Sequence, residues 1–135
     1  MVMSYQRPRE DLVSSTMTRK LLTAAPSALL TEAAYRMAER RVGAILVTDG
    51  DRLIGILTER DVLKAVGEGS IEGTIERWMT RDPVTVDSLA TNGQAAMMMI
   101  HGGFRHVPIV DDGALVGIVS IRDLLSLPDE SPKGA

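Results

Sequence analysis

Two carboxylates, Asp61 and Asp123, each stand three residues after a hydroxyl, Thr58 and Ser120. A hydroxyl and an acid at this spacing read as a variant of the helix capping box, in which side chains satisfy N–H groups that the first turn leaves unpaired. The same N–H groups suit a phosphate, and the hydroxyl adds a donor. The two roles are compatible, because a capping hydroxyl can also face a ligand. Arg60 and Arg122 follow each cap by two residues and read as solvent-facing helix residues or as phosphate contacts. Arg105-His106 precedes the extended run Val107-Pro108-Ile109 and brings a fixed and a titratable positive charge. Nothing in the sequence favours catalysis. There is no Walker-type loop and no base-activated nucleophile. The two histidines, His101 and His106, are a poor metal pair on a helix end and a strand entrance. Without cysteine there is no disulfide, thiolate zinc site or thiol nucleophile.

The elements that must hold these residues come in two copies. Shifted by 62 residues, the chain matches itself without a gap. Met17-Thr18-Arg19 falls on Met79-Thr80-Arg81, Ala33-Ala34 on Ala95-Ala96, Gly55-Ile56 on Gly117-Ile118, and Arg60-Asp61 on Arg122-Asp123. Repeat 1 spans 13–66 and repeat 2 spans 75–127, with a Gly-rich linker at 67–74 and terminal segments at 1–12 and 128–135, the last a loose tail. In each copy, apolar residues four apart (Val13 and Met17; Ile75 and Met79) predict a short helical lead-in. A short extended piece follows at 21–23 and 84–86. Next come an amphipathic helix at 27–41 and 89–101, and two β-rich runs around a turn, at 44–48 and 53–57, and at 107–110 and 115–119. A last helix opens at Thr58 and at Ser120. Each unit is thus β-α-β-β-α, an α/β (α+β) plan. A unit of about 60 residues is marginal alone, so the two copies are expected to pack about a pseudo-twofold axis, with equivalent surface features beside a shared cleft.

Composition sets further bounds. Hydrophobic residues are 44% and aromatics 3%, so aliphatic residues and methionine build the core. Met97-Met98-Met99 reads as core and dimer packing, and the alanine pairs let helices approach closely. Trp78 reads as a linker anchor, with stacking on a base as the alternative. The net charge of −3 and a pI near 5.3 argue against a nucleic-acid partner. No apolar stretch approaches the ~20 residues that span a bilayer. The polar start has no signal core, and a cytoplasmic location fits.

The repeated signatures Gly55-Ile56-Leu57-Thr58-Glu59-Arg60-Asp61 and Gly117-Ile118-Val119-Ser120-Ile121-Arg122-Asp123, with the Met-Thr opening of each copy, resemble a tandem pair of cystathionine-β-synthase-type (CBS) domains, the Bateman module, over 13–127. The resemblance implies a non-catalytic regulatory module that binds an adenosine-containing ligand between its repeats: AMP, ADP, ATP or S-adenosylmethionine. It also implies a homodimer joined through helices. No enzyme or transporter domain accompanies the pair, so an unknown regulated protein is expected in trans. The alternatives are an S-adenosylmethionine-binding pair and a dimerisation or protein-docking module without a small ligand.

By the same resemblance, Asp61 and Asp123 occupy the ribose-binding position. A carboxylate offers only acceptors and can take both ribose hydroxyls. One cleft is expected to join Thr58, Arg60 and Asp61 to Pro83, Val84, Arg105, His106 and Pro108. The other is expected to join Ser120, Arg122 and Asp123 to Lys20, Leu22, Gly43 and Ala44. Arg105 and His106 against Gly43 and Ala44 then predict that the Asp61 cleft carries the positive charge and that the Asp123 cleft is more neutral. No metal is expected.

Overall fold

The β-branched runs pair into one hairpin per repeat. In a computed structural model, which describes residues 11–125, α1 (Val13–Thr16) is followed by β1 (Thr23–Ala24), α2 (Leu30–Arg40), β2 (Ala44–Asp49), β3 (Arg52–Thr58) and α3 (Glu59–Gly67). A 3-10 turn (Ile75–Arg77) then leads to β4 (Thr80–Arg81), α4 (Asn92–Gly102), β5 (His106–Asp111), β6 (Ala114–Ser120) and α5 (Ile121–Leu125). Of the expected terminal segments at 1–12 and 128–135, residues 1–10 and 128–135 lie outside the described residues, and Leu12 bridges Thr91.

The sheet in the first half has the order β1-β2-β3-β4, with β1 parallel to β2 and the other pairs antiparallel. Its outer strand β4 comes from the second repeat. The second half repeats this plan in reduced form. The β5-β6 hairpin is flanked by single bridges, Val86 parallel to Ile109 and Thr18 antiparallel to Ile118. Those bridges are the 62-residue counterparts of Ala24 with Val47 and of Thr80 with Ile56. Each hairpin also bulges at the equivalent place, after Val47 and after Ile109.

Each lead-in therefore serves the opposite repeat. Ile75 and Met79 are buried with Leu22, Leu30, Met37, Ile45, Val47 and Leu57 in the first core. Val13 is buried with Ala95, Met99, Val107, Ile109 and Val119 in the second, and Met17 packs against it. Truncating such a core residue to Ala typically costs about 2–5 kcal/mol. A third cluster, Ala44, Leu46 and Ile56 with Leu21, Leu53, Leu115 and Ile118, joins the two hairpins. The crossing strand must approach the hairpin closely, and this explains the glycine in each signature. A Cβ on Gly55 would lie 2.6 Å from Met79 Sδ and 3.0 Å from the Thr80 carbonyl, and one on Gly117 would overlap Met17.

The long helices start later than periodicity predicts, because Leu29 and Thr91 stay extended and bridge Thr74 and Leu12. Thr91 caps α4 in a full capping box with Gln94, whereas Leu29 has no side chain able to cap α2. Both helices end on a left-handed residue. This is Gly103 for α4 (φ 73°) and, less usually, Arg41 for α2 (φ 56°).

Candidate functional site

The β3–α3 and β6–α5 junctions place the repeated hydroxyl–acid pairs. Thr58 is extended (φ −119°, ψ 169°), so its N–H is free to turn back. It donates to Asp61 Oδ2 at 2.8 Å, and the Thr58 hydroxyl lies 3.0 Å from the same oxygen. At the second junction the Ser120 N–H donates to Asp123 Oδ2 at 2.9 Å, and the Asp123 N–H donates to Ser120 Oγ at 3.0 Å. The capping reading is thus realised in both copies. It engages Oδ2 of each carboxylate, while Oδ1 accepts no hydrogen bond among the described residues.

Each junction opens on a cavity of ligand size. The first, about 510 Å³, brings Thr58, Arg60 and Asp61 together with Pro83, Val84, Arg105 and His106. The second, about 590 Å³, brings Ser120, Arg122 and Asp123 together with Lys20, Leu22, Gly43 and Ala44. Gly43, Glu59, Arg105 and His106 line both cavities and form their common wall.

Pro108 lines neither cavity. It is fully buried in β5, where its carbonyl accepts the Val86 N–H at 3.2 Å. Its effect on the site is indirect. In the first repeat the Leu46 N–H donates to the Leu22 carbonyl at 2.9 Å. Pro108 is the counterpart of Leu46 and has no N–H. The outer strand of the second repeat accordingly shrinks to one bridge, and the Val84 carbonyl lacks the donor that the Leu22 carbonyl has. Trp78 also lies outside both cavities. It packs on the first core with Arg77 5.7 Å above its ring, and its buried Nε1 has no partner among the described residues.

The charge distribution reverses the expectation that the Asp61 cleft is the more positive. Arg105 serves both cavities and distinguishes neither. The Asp61 cavity has Arg60 and Arg105 against Glu59, Asp61 and Asp82. The Asp123 cavity has Lys20, Arg41, Arg105 and Arg122 against Glu59 and Asp123. The strand entrances alone do not decide the charge, because the balance is set by residues distant in sequence. Arg41, Glu59, Asp82 and Phe104 escaped the sequence reading. Arg41 and Glu59 carried a signal there, since each breaks the repeat: their counterparts are Gly103 and Ile121.

His106 sits in the common wall. Burial pushes its imidazole below the usual histidine range, Glu59 and Asp123 oppose this, and Arg105 reinforces it. Gly43 is small where the wall is tight. A Cβ there would come within 2.6 Å of Glu59 Oε1 and 3.3 Å of His106 Cε1. The arrangement provides acceptors for ligand hydroxyls, cations for an anion, and apolar walls from Ile56, Val84 and Phe104 in one cavity and Leu22, Leu46 and Ile118 in the other.

Comparison with known proteins agrees with this architecture. The chain is 42% identical over 116 residues to an uncharacterized 17.7 kDa protein of Acidianus ambivalens, covering 83% of this chain and 70% of that protein. It is 37% identical over 127 residues to the CBS domain-containing protein CBSCBSPB5 of Arabidopsis thaliana, covering 91% of this chain but 23% of the plant protein. Among solved structures, the CBS domain protein PAE2072 from Pyrobaculum aerophilum, complexed with AMP, superposes with a TM-score of 0.79 at 31% identity, covering 83% of this chain and 88% of that one. The CBS domain pair of MJ0100, in complex with 5′-methylthioadenosine and S-adenosyl-L-methionine, also gives 0.79 at 29% identity, covering 86% and 94%. The CBS domain model matches twice, over residues 10–68 and 74–130, so this chain belongs to the CBS domain family and carries its domains as a tandem pair.

Proposed function

We propose that the chain is a regulatory module that binds AMP, ADP or ATP in its two clefts, catalyses no reaction, and controls a partner protein in trans from the cytoplasm. The observation that carries this reading is the pairing, in each cleft, of an aspartate Oδ1 left free by its own cap with cations across a cavity of nucleotide size. A free carboxylate oxygen is an acceptor for ribose hydroxyls, and each such charge-assisted bond is worth roughly 1.5–3 kcal/mol. The AMP complex of the Pyrobaculum relative supports the ligand class. A second reading, an uncharged or cationic adenosine derivative in the Asp61 cleft, is favoured by that cavity's excess of carboxylates and by the ligands of MJ0100. A homodimer fits the repeat-related exposed pairs Tyr35 with Met97 and Leu63 with Leu125, which give equivalent helices similar apolar faces.

The test is a thermal-shift titration with AMP, ADP, ATP, S-adenosylmethionine and GTP. Saturation at about 100 times Kd stabilises the fold by roughly 2.7 kcal/mol, a shift of several degrees. Adenine ligands are expected to raise Tm and GTP to raise it less. No shift with any of them at millimolar concentration defeats the proposal and leaves a ligand-independent docking module.

A further inference from the structure

We infer that the two clefts sort adenine ligands by phosphate number: the Asp123 cleft takes the polyphosphate form, the Asp61 cleft takes the nucleoside or monophosphate, and Arg41 is the residue that sets this preference. The inference rests on the reading of both cavities as adenine-ligand sites.

Arg105 and Glu59 line both cavities and cancel in any comparison. What remains is Lys20, Arg41 and Arg122 against Asp123 on one side, and Arg60 against Asp61 and Asp82 on the other. Among the described residues none of Lys20, Arg41, Arg105 and Arg122 makes an ion pair or side-chain hydrogen bond, so their charge is available. Each phosphate added to a ligand adds negative charge. In the Asp123 cleft it meets an excess of cations, and in the Asp61 cleft it meets an excess of carboxylates.

Arg41 stands out because its backbone is unfavourable for a side chain. It ends α2 at φ 56° and ψ 43°, where the second repeat has Gly103 at φ 73°. A cation at a helix C-terminus gains from the dipole, but Arg40 already supplies one in the last turn without leaving the helical conformation. The left-handed Arg41 lines the Asp123 cavity and not the other. An anion bound there explains an arginine where the repeat otherwise has glycine.

Asp61→Ala and Asp123→Ala each cripple one cleft and so isolate the other. Calorimetric titration with adenosine, AMP, ADP and ATP, in EDTA so that no magnesium masks the phosphates, reads each cleft alone. In Asp61→Ala, Kd is expected to tighten at least tenfold from AMP to ATP, and less so at high salt. In Asp123→Ala it is expected to change less than threefold. Adding Arg41→Gly to Asp61→Ala is expected to flatten the AMP-to-ATP gain while the unliganded Tm holds or rises, and Arg41→Lys is expected to restore most of the gain. Similar AMP-to-ATP ratios in the two single-cleft proteins, or a ratio untouched by Arg41→Gly, overturn the inference while the adenine reading stands. Failure of every ligand to bind any of the proteins overturns both.

Discussion

Asp61 caps α3 in the structure and binds ribose in the proposed function, and a pair of substitutions separates the two roles. Its Oδ2 takes the Thr58 N–H at 2.8 Å and lies 3.0 Å from the Thr58 hydroxyl, while Oδ1 accepts no hydrogen bond among the described residues and the residue lines the cavity. Asp61→Ala removes both functions. Losing the cap costs about 0.5–2 kcal/mol, or roughly 3–5 °C in Tm per kcal/mol for a chain of this size. Losing a charge-assisted bond to ribose costs a further ~1.5–3 kcal/mol of binding, about tenfold to a hundredfold in Kd. Asp61→Asn keeps a carbonyl oxygen for the Thr58 N–H but loses the charge, so unliganded stability is expected to stay near wild type while affinity falls. Urea unfolding without ligand and calorimetric titration with AMP measure the two quantities independently. The double variant Asp61→Asn/Asp123→Asn is expected to lose measurable AMP binding yet still unfold cooperatively. Wild-type AMP affinity in that double variant refutes the argument, because the carboxylates are then caps alone.

Two further predictions concern the framework. Gly55→Ala puts a methyl against Met79 and the Thr80 carbonyl and is expected to destabilise the protein by about 1–3 kcal/mol; a double-mutant cycle with Met79→Ala should show coupling, and additive costs in urea unfolding would contradict the close approach. Burial holds His106 below its ordinary pKa in the folded protein, against Glu59 and Asp123, so the unfolded chain takes up this proton first as pH falls. The stability contributed by neutral His106 is therefore complete above about pH 6.5 and is lost as pH falls through the lower folded-state pKa; His106→Gln is expected to flatten the Tm-against-pH curve in that window, and an unchanged curve counts against it.

The internal repeat made most of the fold legible. A 62-residue offset maps strand onto strand and even reproduces the two bulges and the four bridges. The repeat could not show which hairpin each lead-in joins. Val13 and Ile75, or Met17 and Met79, fit either core equally well by type and spacing, and only the packing distinguishes them. Periodicity sets the helix starts too early because 27–29 and 89–91 continue the helical pattern, while tertiary bridges hold Leu29 and Thr91 extended. At the site, the motif residues were readable because they recur. The charge balance was not, because Lys20, Arg41 and Arg122 approach one another only through the pairing of the two halves. Arg41 is legible in retrospect as an arginine where the repeat has Gly103.

The crossed lead-ins have a consequence for synthesis. A ribosome that has released residues as far as Gly67 has produced every strand and helix of the first repeat's own sequence, yet the pocket for Ile75 and Met79 is still open. At the same stage Val13 and Met17 have been made and have no core to enter. Closure awaits the second half at both places, but not at the same time: the first core is complete once Ile75 and Met79 emerge, whereas Val13 and Met17 wait until β5 and β6 have been made. The start of the chain is therefore the part that stays unburied longest during synthesis, because the core it enters is the last to be made.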